Sequence, residues 1–367
     1  MQNAPLVFVY LGNRFPKYGF ASLSLALQTT PNPLIVLGDS ARPKRLPKPV
    51  QWVDTRQFYD SSEFHYFRSE SNLPADFRNG FWLHTAERFF VLRQFMQKER
   101  LNELFHGELD CLFFSLDQLQ AAIEQTAEHG FFFPRETADR GIASLVFINS
   151  QRSLDACCSF LTQEAALGNE MDILGSLPHG RESDFFALPT AGTLYRKLSA
   201  HEPQDWETTP TDSDLIVDGA AIGRWVFGLD PRNTRDRGTR NRIQNHKNAA
   251  TFDYPLSQLS FRAHKRPKWS VEVSVDGGRW HRVLVLHVHS KVHHKITWRY
   301  LLRTLALLNS GRSRRIVPIS PRFFARISSR IFRQMWATLR NPQKISSAMA
   351  DIRRPNWWKT LGRRVWK

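Results

Sequence analysis

Two acidic side chains interrupt an apolar stretch in the first third of the chain. Glu108 and Asp110 stand two residues apart in the run FHGELDCLFF, residues 105–114. Side chains two apart on a strand point to the same face, so a strand end here would present both carboxylates to one point in space. Such charges repel unless a cation lies between them, and Mg²⁺ and Mn²⁺ prefer oxygen ligands. The pair predicts a divalent-metal site that also holds a substrate diphosphate; a solvated strand end is the alternative.

The sequence around this pair alternates between strand and helix patterns. Short apolar runs predict strands, and amphipathic spacing predicts helices. The predicted strands are residues 5–12, 33–39, 50–58, 130–135 and 141–149, and the predicted helices are residues 20–30, 87–102 and 115–130. This order predicts an α/β fold with a mostly parallel sheet and flanking helices. Ligands bind outside the carboxyl ends of strands in such sheets, where Glu108 and Asp110 are expected.

The second half of the chain has a different pattern. After a polar loop at residues 201–214, two strand-like segments, WSVEVSV and RWHRVLVLHVH, flank the turn sequence DGG. Apolar runs on both sides of an Asp-Gly turn predict a β-hairpin. Residues 215–295 are therefore predicted to form a second lobe.

The net charge of +17 is concentrated at one end of the chain. Residues 301–367 carry sixteen Lys and Arg against one acid, whereas the first 300 residues carry 35 bases and 33 acids. On a helical wheel, five arginines between residues 322 and 340 share one face and six apolar residues share the opposite face. These are Arg322, Arg326, Arg330, Arg333 and Arg340 against Phe323, Phe324, Ile327, Ile331, Met335 and Leu339. The segregation predicts a C-terminal basic amphipathic helical tail.

A basic amphipathic helix followed by Trp357, Trp358 and Trp366 is typical of a segment that lies in an anionic membrane interface. Packing of the apolar face on the rest of the chain is the first alternative. Nucleic-acid binding through phosphate contacts and base stacking is the second. It is disfavoured because the charge is confined to one end and the sequence carries no recognisable nucleic-acid module.

The cysteines and the apolar runs indicate the cellular compartment in which the protein is expected. Cys111, Cys157 and Cys158 are too few and too poorly spaced for a disulfide framework or a zinc site, which favours a reducing compartment. The N-terminal run PLVFVYLG reads as a first strand and not as a signal peptide. No apolar run reaches the roughly eighteen residues that span a bilayer. The expected location is therefore the cytoplasm.

Several short motifs, taken in order, carry a family resemblance. They are T-x-x-R-F (Thr85, Arg88, Phe89), H-x-E-x-D (His106, Glu108, Asp110), S-L-V-F-I, N-E-M (Asn169–Met171), D-G-A-A-I-G (Asp218–Gly223) and L-H-V-H-S-K (Leu286–Lys291). Over roughly residues 5–295, the chain resembles metal-dependent GT-A-type glycosyltransferases of bacterial surface-polysaccharide pathways. The resemblance implies a GT-A-like fold, a nucleotide-sugar donor, a divalent metal (Mn²⁺ or Mg²⁺) that bridges the donor diphosphate to the Glu-x-Asp pair, and hexosyl transfer to an acceptor hydroxyl. Glu108 replaces the usual first Asp, so Asp110 is the expected direct ligand.

The resemblance also implies roles for the late histidine segment. His289, with His287 as the second choice, is expected to complete the metal site, and Lys291 is expected to contact the diphosphate. The alternative is a pair of half-buried strand histidines that are satisfied by hydrogen bonds.

The first two strand ends and one helix supply the expected donor contacts. Leu11, Gly12 and Asn13 after the first strand, and Asp39 after the second, are positioned to meet the base and ribose, although turn chemistry explains them equally well. Arg88 is expected to pair with a phosphate or with Glu108, and a surface ion pair is its alternative.

Glu170 and Asp218 are the acids expected to serve as catalytic groups. An inverting transfer needs a general base near the acceptor hydroxyl, and a retaining transfer needs charge stabilisation instead. For Glu170 the alternative is a favourable charge in the first turn of a helix. The sequence does not decide the stereochemistry.

These expectations combine into one domain organisation. Residues 1–311 form the catalytic domain, with 1–200 as the nucleotide-sugar-binding half and 215–295 as the half that completes the metal and acceptor sites; residues 312–367 form the tail. The expected protein is a peripheral glycosyltransferase on the cytoplasmic face of the inner membrane, with a glycan or lipid-linked acceptor. A non-catalytic membrane- or nucleic-acid-binding protein on the same fold is the alternative.

Overall fold

The computed structural model describes residues 3–59, 61–73, 79–125, 129–137, 139–165, 168–178, 183–198, 214–227, 259–264, 270–275, 277–289, 301 and 305. The predicted tail, residues 312–367, and Lys291 lie outside the described residues. The chain divides into two units, residues 1–314 and 315–367, and everything described below belongs to the first.

The described strands and helices alternate through the first half, as the sequence pattern predicts. The strands are β1 (Leu6–Tyr10), β2 (Leu34–Gly38), β3 (Gln51–Asp54), β4 (Leu104–Gly107), β5 (Cys111–Phe113), β6 (Phe131–Thr137), β7 (Arg140–Gly141), β8 (Leu145–Ile148), β9 (Phe185–Leu188), β10 (Leu215–Val217), β11 (Leu259–His264), β12 (Ser270–Val275) and β13 (His281–His287). The α-helices are α1 (Lys17–Thr29), α2 (Ser62–Glu70), α3 (Phe81–Lys98), α4 (Leu116–Glu124), α5 (Gln151–Gln163), α6 (Glu170–Ser176), α7 (Ala191–Leu198) and α8 (Ala221–Phe227), with a 3₁₀ helix at Thr55–Phe58.

The larger sheet confirms the α/β prediction. Its strand order is β3-β2-β1-β4-β8-β6-β7, with β9 also paired to β6. The pairings β3 to β2, β2 to β1, β1 to β4 and β6 to β9 are parallel, whereas β8 runs antiparallel to both β4 and β6. Because β1 to β4 all run in one direction, their carboxyl ends meet at one edge of the sheet.

Both faces of this sheet are buried, which explains the continuous apolar character of its first strands. Leu6 and Phe8 on β1 belong to one core cluster, which includes residues of α1 and α4. Val7 belongs to a second cluster, which includes residues of α3 and α5. Strand side chains alternate between faces, so helices cover the sheet on each side, as in other parallel sheets.

A second sheet forms from β5 and four strands of the later half. Its order is β10-β13-β12-β11, and β5 pairs with residues 285–287 of β13, on the side opposite β10. The predicted hairpin is confirmed: β12 and β13 pair antiparallel, with Val271 opposite Val283. The contribution of β5 was not predicted. Since β4 belongs to the first sheet and β5 to the second, the chain changes sheets at residues 108–110.

A buried histidine next to this change of sheet gives a testable pH dependence. His106 on β4 is fully buried, with Nδ1 3.1 Å from the Val7 carbonyl oxygen, and its Nε2 has no hydrogen-bond partner among the described residues. Burial, reinforced by Arg88, holds the pKa of His106 well below its usual value. Below about pH 6.5, His106 therefore binds a proton in the unfolded chain but not in the folded chain, so stability is lost as the pH falls.

From this histidine alone, we expect the unfolding free energy to fall below about pH 6.5 with a slope that approaches about 1.4 kcal/mol per pH unit near pH 5. Urea titrations at several pH values measure the slope. His106→Gln, which cannot titrate, should show a shallower dependence over that window. Identical slopes in both proteins would rule out His106 as the source.

Candidate metal centre

The two acids lie in a tight turn directly after β4. The backbone N–H of Cys111 donates to the Glu108 carbonyl at 3.1 Å, which closes a four-residue turn over residues 108–111. The sequence predicted that strand alternation would align Glu108 and Asp110. Instead, β4 ends at Gly107, and the change from one sheet to the other folds the two acids into a turn.

The end of β13 brings His287 onto this turn. Cys111 and His287 are register partners, and the Val288 N–H donates to the Asp110 carbonyl at 2.7 Å. The Nε2 of His287 lies 3.4 Å from Oε2 of Glu108 and 3.3 Å from Oδ2 of Asp110. A ring nitrogen and two carboxylates therefore converge at the carboxyl end of β4.

The opposite ring nitrogen fixes the tautomer of His287. Its Nδ1 lies 2.5 Å from the carbonyl oxygen of Gly219, and a carbonyl oxygen only accepts, so Nδ1 carries the proton. In the neutral ring Nε2 then presents a lone pair toward the two carboxylates. Three electron-rich atoms in this arrangement repel one another unless a proton or a metal ion lies among them. Metal-binding histidines have this backbone anchor at the second nitrogen.

The donor set fits a divalent ion. Among the described residues, Glu108, Asp110, Cys111 and His287 form the one group of metal-ligating side chains, with ligand atoms within 4.8 Å of one another. Carboxylate and imidazole ligands suit Mn²⁺ and related ions. The sequence preferred His289 over His287, but His287 is the histidine in this group. The His289 ring stacks on that of His287 with 4.1 Å between centroids.

Asp218 anchors the backbone that carries His287. Its carboxylate accepts from the N–H groups of Ile222 at 2.9 Å and Gly223 at 2.7 Å, near the start of α8, and from the His287 N–H at 3.0 Å. One buried side chain therefore ties a helix start to the end of β13. Burial raises the pKa of Asp218, and the His287 backbone hydrogen bond is the largest effect that opposes the rise.

Gly223 allows α8 to approach this strand end closely. A Cβ at residue 223 would lie 1.9 Å from the His287 carbonyl oxygen and 2.9 Å from Oδ2 of Asp218, so an added methyl group would displace the His287 backbone.

We expect Gly223→Ala to weaken Mn²⁺ binding by at least about tenfold, the size of effect seen when groups that orient a ligand are changed. Isothermal titration calorimetry measures the affinity. Gly19→Ala on α1 is the matched control, because the atoms nearest to its added Cβ belong to the side chains of Phe15 and Pro16, just before α1, and not to the metal centre. Equal Mn²⁺ affinity for Gly223→Ala and the parent chain would contradict this role.

Arg88 on α3 joins the metal centre to a second acid. Its Nη1 donates to Oε1 of Glu108 at 2.8 Å, and its Nη2 donates to Oε1 of Glu170 on α6. The sequence expected Arg88 to pair with a phosphate or with Glu108, and the geometry contains the Glu108 pair. Glu108 therefore uses Oε1 for Arg88 and directs Oε2 toward His287.

Glu170 is held in this ion-pair network at the start of α6. Burial raises its pKa; Arg88 opposes the rise and Glu108 adds to it. Burial alone would lower the pKa of Arg88, but Glu170 and Glu108 outweigh it and raise the pKa above its usual value. Glu170 lies in the first turn of α6, with Asn169 as the N-cap, which is the alternative to the catalytic role that the sequence predicted for it.

The predicted donor-binding residues lie at the same edge of the sheet as the turn. Leu11, Gly12 and Asn13 follow β1, and Asp39 follows β2, next to the end of β1, since its N–H donates to the Tyr10 carbonyl at 3.4 Å. The Asp39 carboxylate accepts from the hydroxyls of Thr55 and Tyr59. Since β1 pairs with β4, the residues that follow β1 lie at the strand end next to the acidic turn, and Asp39 lies one strand further away. None of these residues belongs to the ligand group.

Sequence reasoning missed three contributors to this site. Cys111 was considered only among the three cysteines, and Gly219 and Ser144 only as parts of motifs. The Ser144 hydroxyl donates to the Asp218 carbonyl at 2.9 Å, and its own carbonyl accepts from the Glu108 N–H at 3.2 Å. The signal for Cys111 was its position beside the acids, and the signal for Ser144 was its place at the start of the S-L-V-F-I motif.

Comparisons with known proteins found similarity in structure only. No family model matches the chain, and no characterised protein matches it in sequence. The similar solved structures include mouse xyloside xylosyltransferase 1, with a TM-score of 0.37 and 10 % identity over 56 % of this chain and 94 % of that chain. They also include the galactosyltransferase LgtC in complex with donor and acceptor sugar analogues, with a TM-score of 0.36 and 12 % identity over 56 % of this chain and 83 % of that chain.

A third similar structure is the glycosyltransferase GlyE of Streptococcus pneumoniae TIGR4, with a TM-score of 0.30 and 15 % identity over 54 % of this chain and 50 % of that chain. At these scores and identities the likeness does not assign an activity to this chain. The functional conclusion therefore depends on the site itself.

Proposed function

We propose that this chain is a metal-dependent glycosyltransferase that moves a sugar, of hexose type, from a nucleotide-diphosphate donor to a glycan acceptor. The observation that carries the proposal is the convergence of Glu108, Asp110 and Nε2 of His287 at the carboxyl end of β4. Parallel sheets bind ligands at this edge. The order of motifs over residues 5–295, which resembles GT-A-type glycosyltransferases, supports the choice of reaction.

Glu108, Asp110 and His287 would hold the divalent ion. When bound, such an ion stabilises negative charge on a departing diphosphate. Because Arg88 binds Oε1 of Glu108, Glu108 would bind the ion through Oε2. Asp218 and the Gly219 carbonyl orient His287 from its backbone and from Nδ1.

The strand ends beside the metal centre are suited to the nucleoside. Leu11, Gly12 and Asn13 would line the base and ribose, with Asp39 as an acceptor for a sugar hydroxyl or a base N–H. Lys291, four residues after His287, would contact the diphosphate. Thr55 and Tyr59 already orient the Asp39 carboxylate through their hydroxyls, so its direction is fixed before a donor arrives.

The two predicted catalytic acids suit positioning roles better than proton transfer. Glu170 is buried and bonded to Arg88, and Asp218 is buried and accepts three backbone hydrogen bonds. We therefore assign Glu170 to orienting Arg88, and Asp218 to orienting His287. Neither assignment favours an inverting or a retaining outcome.

A donor screen tests the proposal. The full chain is incubated with a panel of nucleotide-diphosphate sugars, with and without Mn²⁺ or Mg²⁺. Release of the nucleoside diphosphate measures turnover, and the unfolding temperature of the chain measures binding. We expect metal-dependent hydrolysis of at least one donor and a rise in the unfolding temperature that needs both metal and nucleotide. Absence of both effects across the panel would favour the non-catalytic alternative.

The basic tail suggests where the acceptor is located. The proposal includes a lipid-linked acceptor of bacterial surface-glycan assembly and peripheral attachment to the anionic cytoplasmic face of the inner membrane. Its support is the sequence of residues 312–367 alone, in which bases and apolar residues segregate. In the described part of the chain, no helix is long and apolar enough to cross a bilayer.

Truncation after Asn309 is expected to abolish sedimentation with vesicles that contain anionic lipid. The truncated chain keeps Leu301 and Leu305, which are buried in the core cluster of the second sheet. It should therefore retain the thermal stability of the full chain. Equal sedimentation of the truncated and full chains would contradict the membrane role.

A further inference from the structure

Cys111 belongs to the metal-ligating group, but the proposed three-ligand site of Glu108, Asp110 and His287 does not use it. It begins β5 directly opposite His287 on β13. Directly opposed residues of an antiparallel pair place their side chains on the same face of the sheet. The thiol of Cys111 and the ring of His287 therefore share one side of the second sheet.

The turn brings the acids to the same point. Cys111 closes the turn that starts at Glu108, and Asp110 is its immediate neighbour. The ligand atoms of all four side chains lie within 4.8 Å of one another, and Nε2 of His287 already lies 3.3 and 3.4 Å from carboxylate oxygens. Tetrahedral zinc spaces its ligand atoms roughly 3.3 to 3.8 Å apart, given Zn–N near 2.0 Å and Zn–S near 2.3 Å. Rotation of the side chains can bring ligand atoms that now lie up to 4.8 Å apart to these shorter distances.

The chemistry of this set differs from that of an oxygen-only site. Thiolate and imidazole ligands bind Zn²⁺ and Co²⁺ in preference to Mg²⁺. Four protein ligands also close a tetrahedral site, whereas catalytic sites keep a position open for substrate. The spacing of the three cysteines excludes a cysteine-based zinc site, but one cysteine among two acids and a histidine does not need that spacing.

We propose that Cys111 is a fourth ligand for thiophilic ions, so that the centre binds Zn²⁺ or Co²⁺ in a closed form that excludes the donor diphosphate. The inference rests on the metal centre of the proposed function. The thiol proton passes to water as the sulfur binds. Zinc would therefore inhibit transfer by occupying the site that Mn²⁺ or Mg²⁺ holds in an open form.

Absorption spectroscopy of the full chain with Co²⁺ tests the proposal. We expect a thiolate-to-cobalt charge-transfer band in the near ultraviolet, together with strong visible bands of tetrahedral Co²⁺. Cys111→Ser should lose the charge-transfer band and bind Zn²⁺ at least about tenfold more weakly, while its Mn²⁺ affinity stays within about twofold of the parent. Cys158→Ala is the matched control, since Cys158 is a buried cysteine on α5 outside the metal-ligating group.

The outcomes separate this inference from the proposed function. Co²⁺ binding without a thiolate band, or with a band that persists in Cys111→Ser, overturns the role of Cys111 and leaves the metal centre intact. An equal loss of Zn²⁺ and Mn²⁺ affinity also overturns the thiophilic preference. Failure of the chain to bind Co²⁺, Zn²⁺ or Mn²⁺ overturns both proposals. If Cys111→Ser does not fold, Cys111→Ala provides the same comparison.

Discussion

Asp110→Asn is expected to lower metal-dependent turnover by at least about 100-fold while the chain remains folded. Changes to groups that merely orient a metal ligand cost 10- to 100-fold, so loss of a direct ligand should cost at least the upper value. The amide keeps the size of the carboxylate but removes the charge that faces Nε2 of His287 at 3.3 Å. Release of nucleoside diphosphate measures the rate, and circular dichroism checks the fold.

Asp184→Asn is the matched control for this substitution. Asp184 makes an ion pair with Arg152 at 3.1 Å, and the Arg152 side chain is 85 % exposed. Exposed pairs contribute little, so the variant should keep both its activity and its fold. Full activity in Asp110→Asn, or unchanged activity of the parent in excess chelator, would contradict metal-assisted transfer.

Arg88→Met is expected to destabilise the chain by about 3–5 kcal/mol, because removal of one partner leaves a buried charge unpaired. Glu170, at the start of α6, is almost fully buried, and Arg88 on α3 is its charged partner. Glu108 is better placed to tolerate the loss, since its side chain is 19 % exposed. Urea denaturation measures the change in unfolding free energy.

A second substitution separates loss of the pairing from loss of packing. Arg88→Met combined with Glu170→Gln removes the unpaired carboxylate, so the double variant should recover a substantial part of the lost stability. A lost packing contact would instead make the two changes additive. An Arg88→Met chain with unchanged stability would refute the network as a structural element.

The sequence predicted the elements of the fold well where local patterns decide them. The apolar run at Leu6–Tyr10 predicts a strand that is buried on both faces, and the structure has β1 there. Apolar runs on either side of the Asp-Gly turn predict the hairpin of β12 and β13. The pairing of β5 with β13 joins residues 111–113 to residues 285–287. A contact between such distant segments leaves no periodic signal in either one.

The candidate site was predictable in its residues but not in its geometry. The type and spacing of Glu108 and Asp110 indicated a metal site, yet their convergence depends on a turn at the change of sheet and not on strand alternation. The choice between His287 and His289 depends on the register between β5 and β13, which places His287 opposite Cys111. The roles of Arg88 and Glu170 depend on how α3 and α6 pack, which spacing along the chain does not encode.

Anomalous diffraction from crystals of the full chain grown with Mn²⁺ tests the central claim most directly. We predict one manganese peak bonded to Glu108, Asp110 and the Nε2 of His287. A peak bonded to other residues, or no peak while His287 donates a proton from Nε2 to the two carboxylates, would contradict the account.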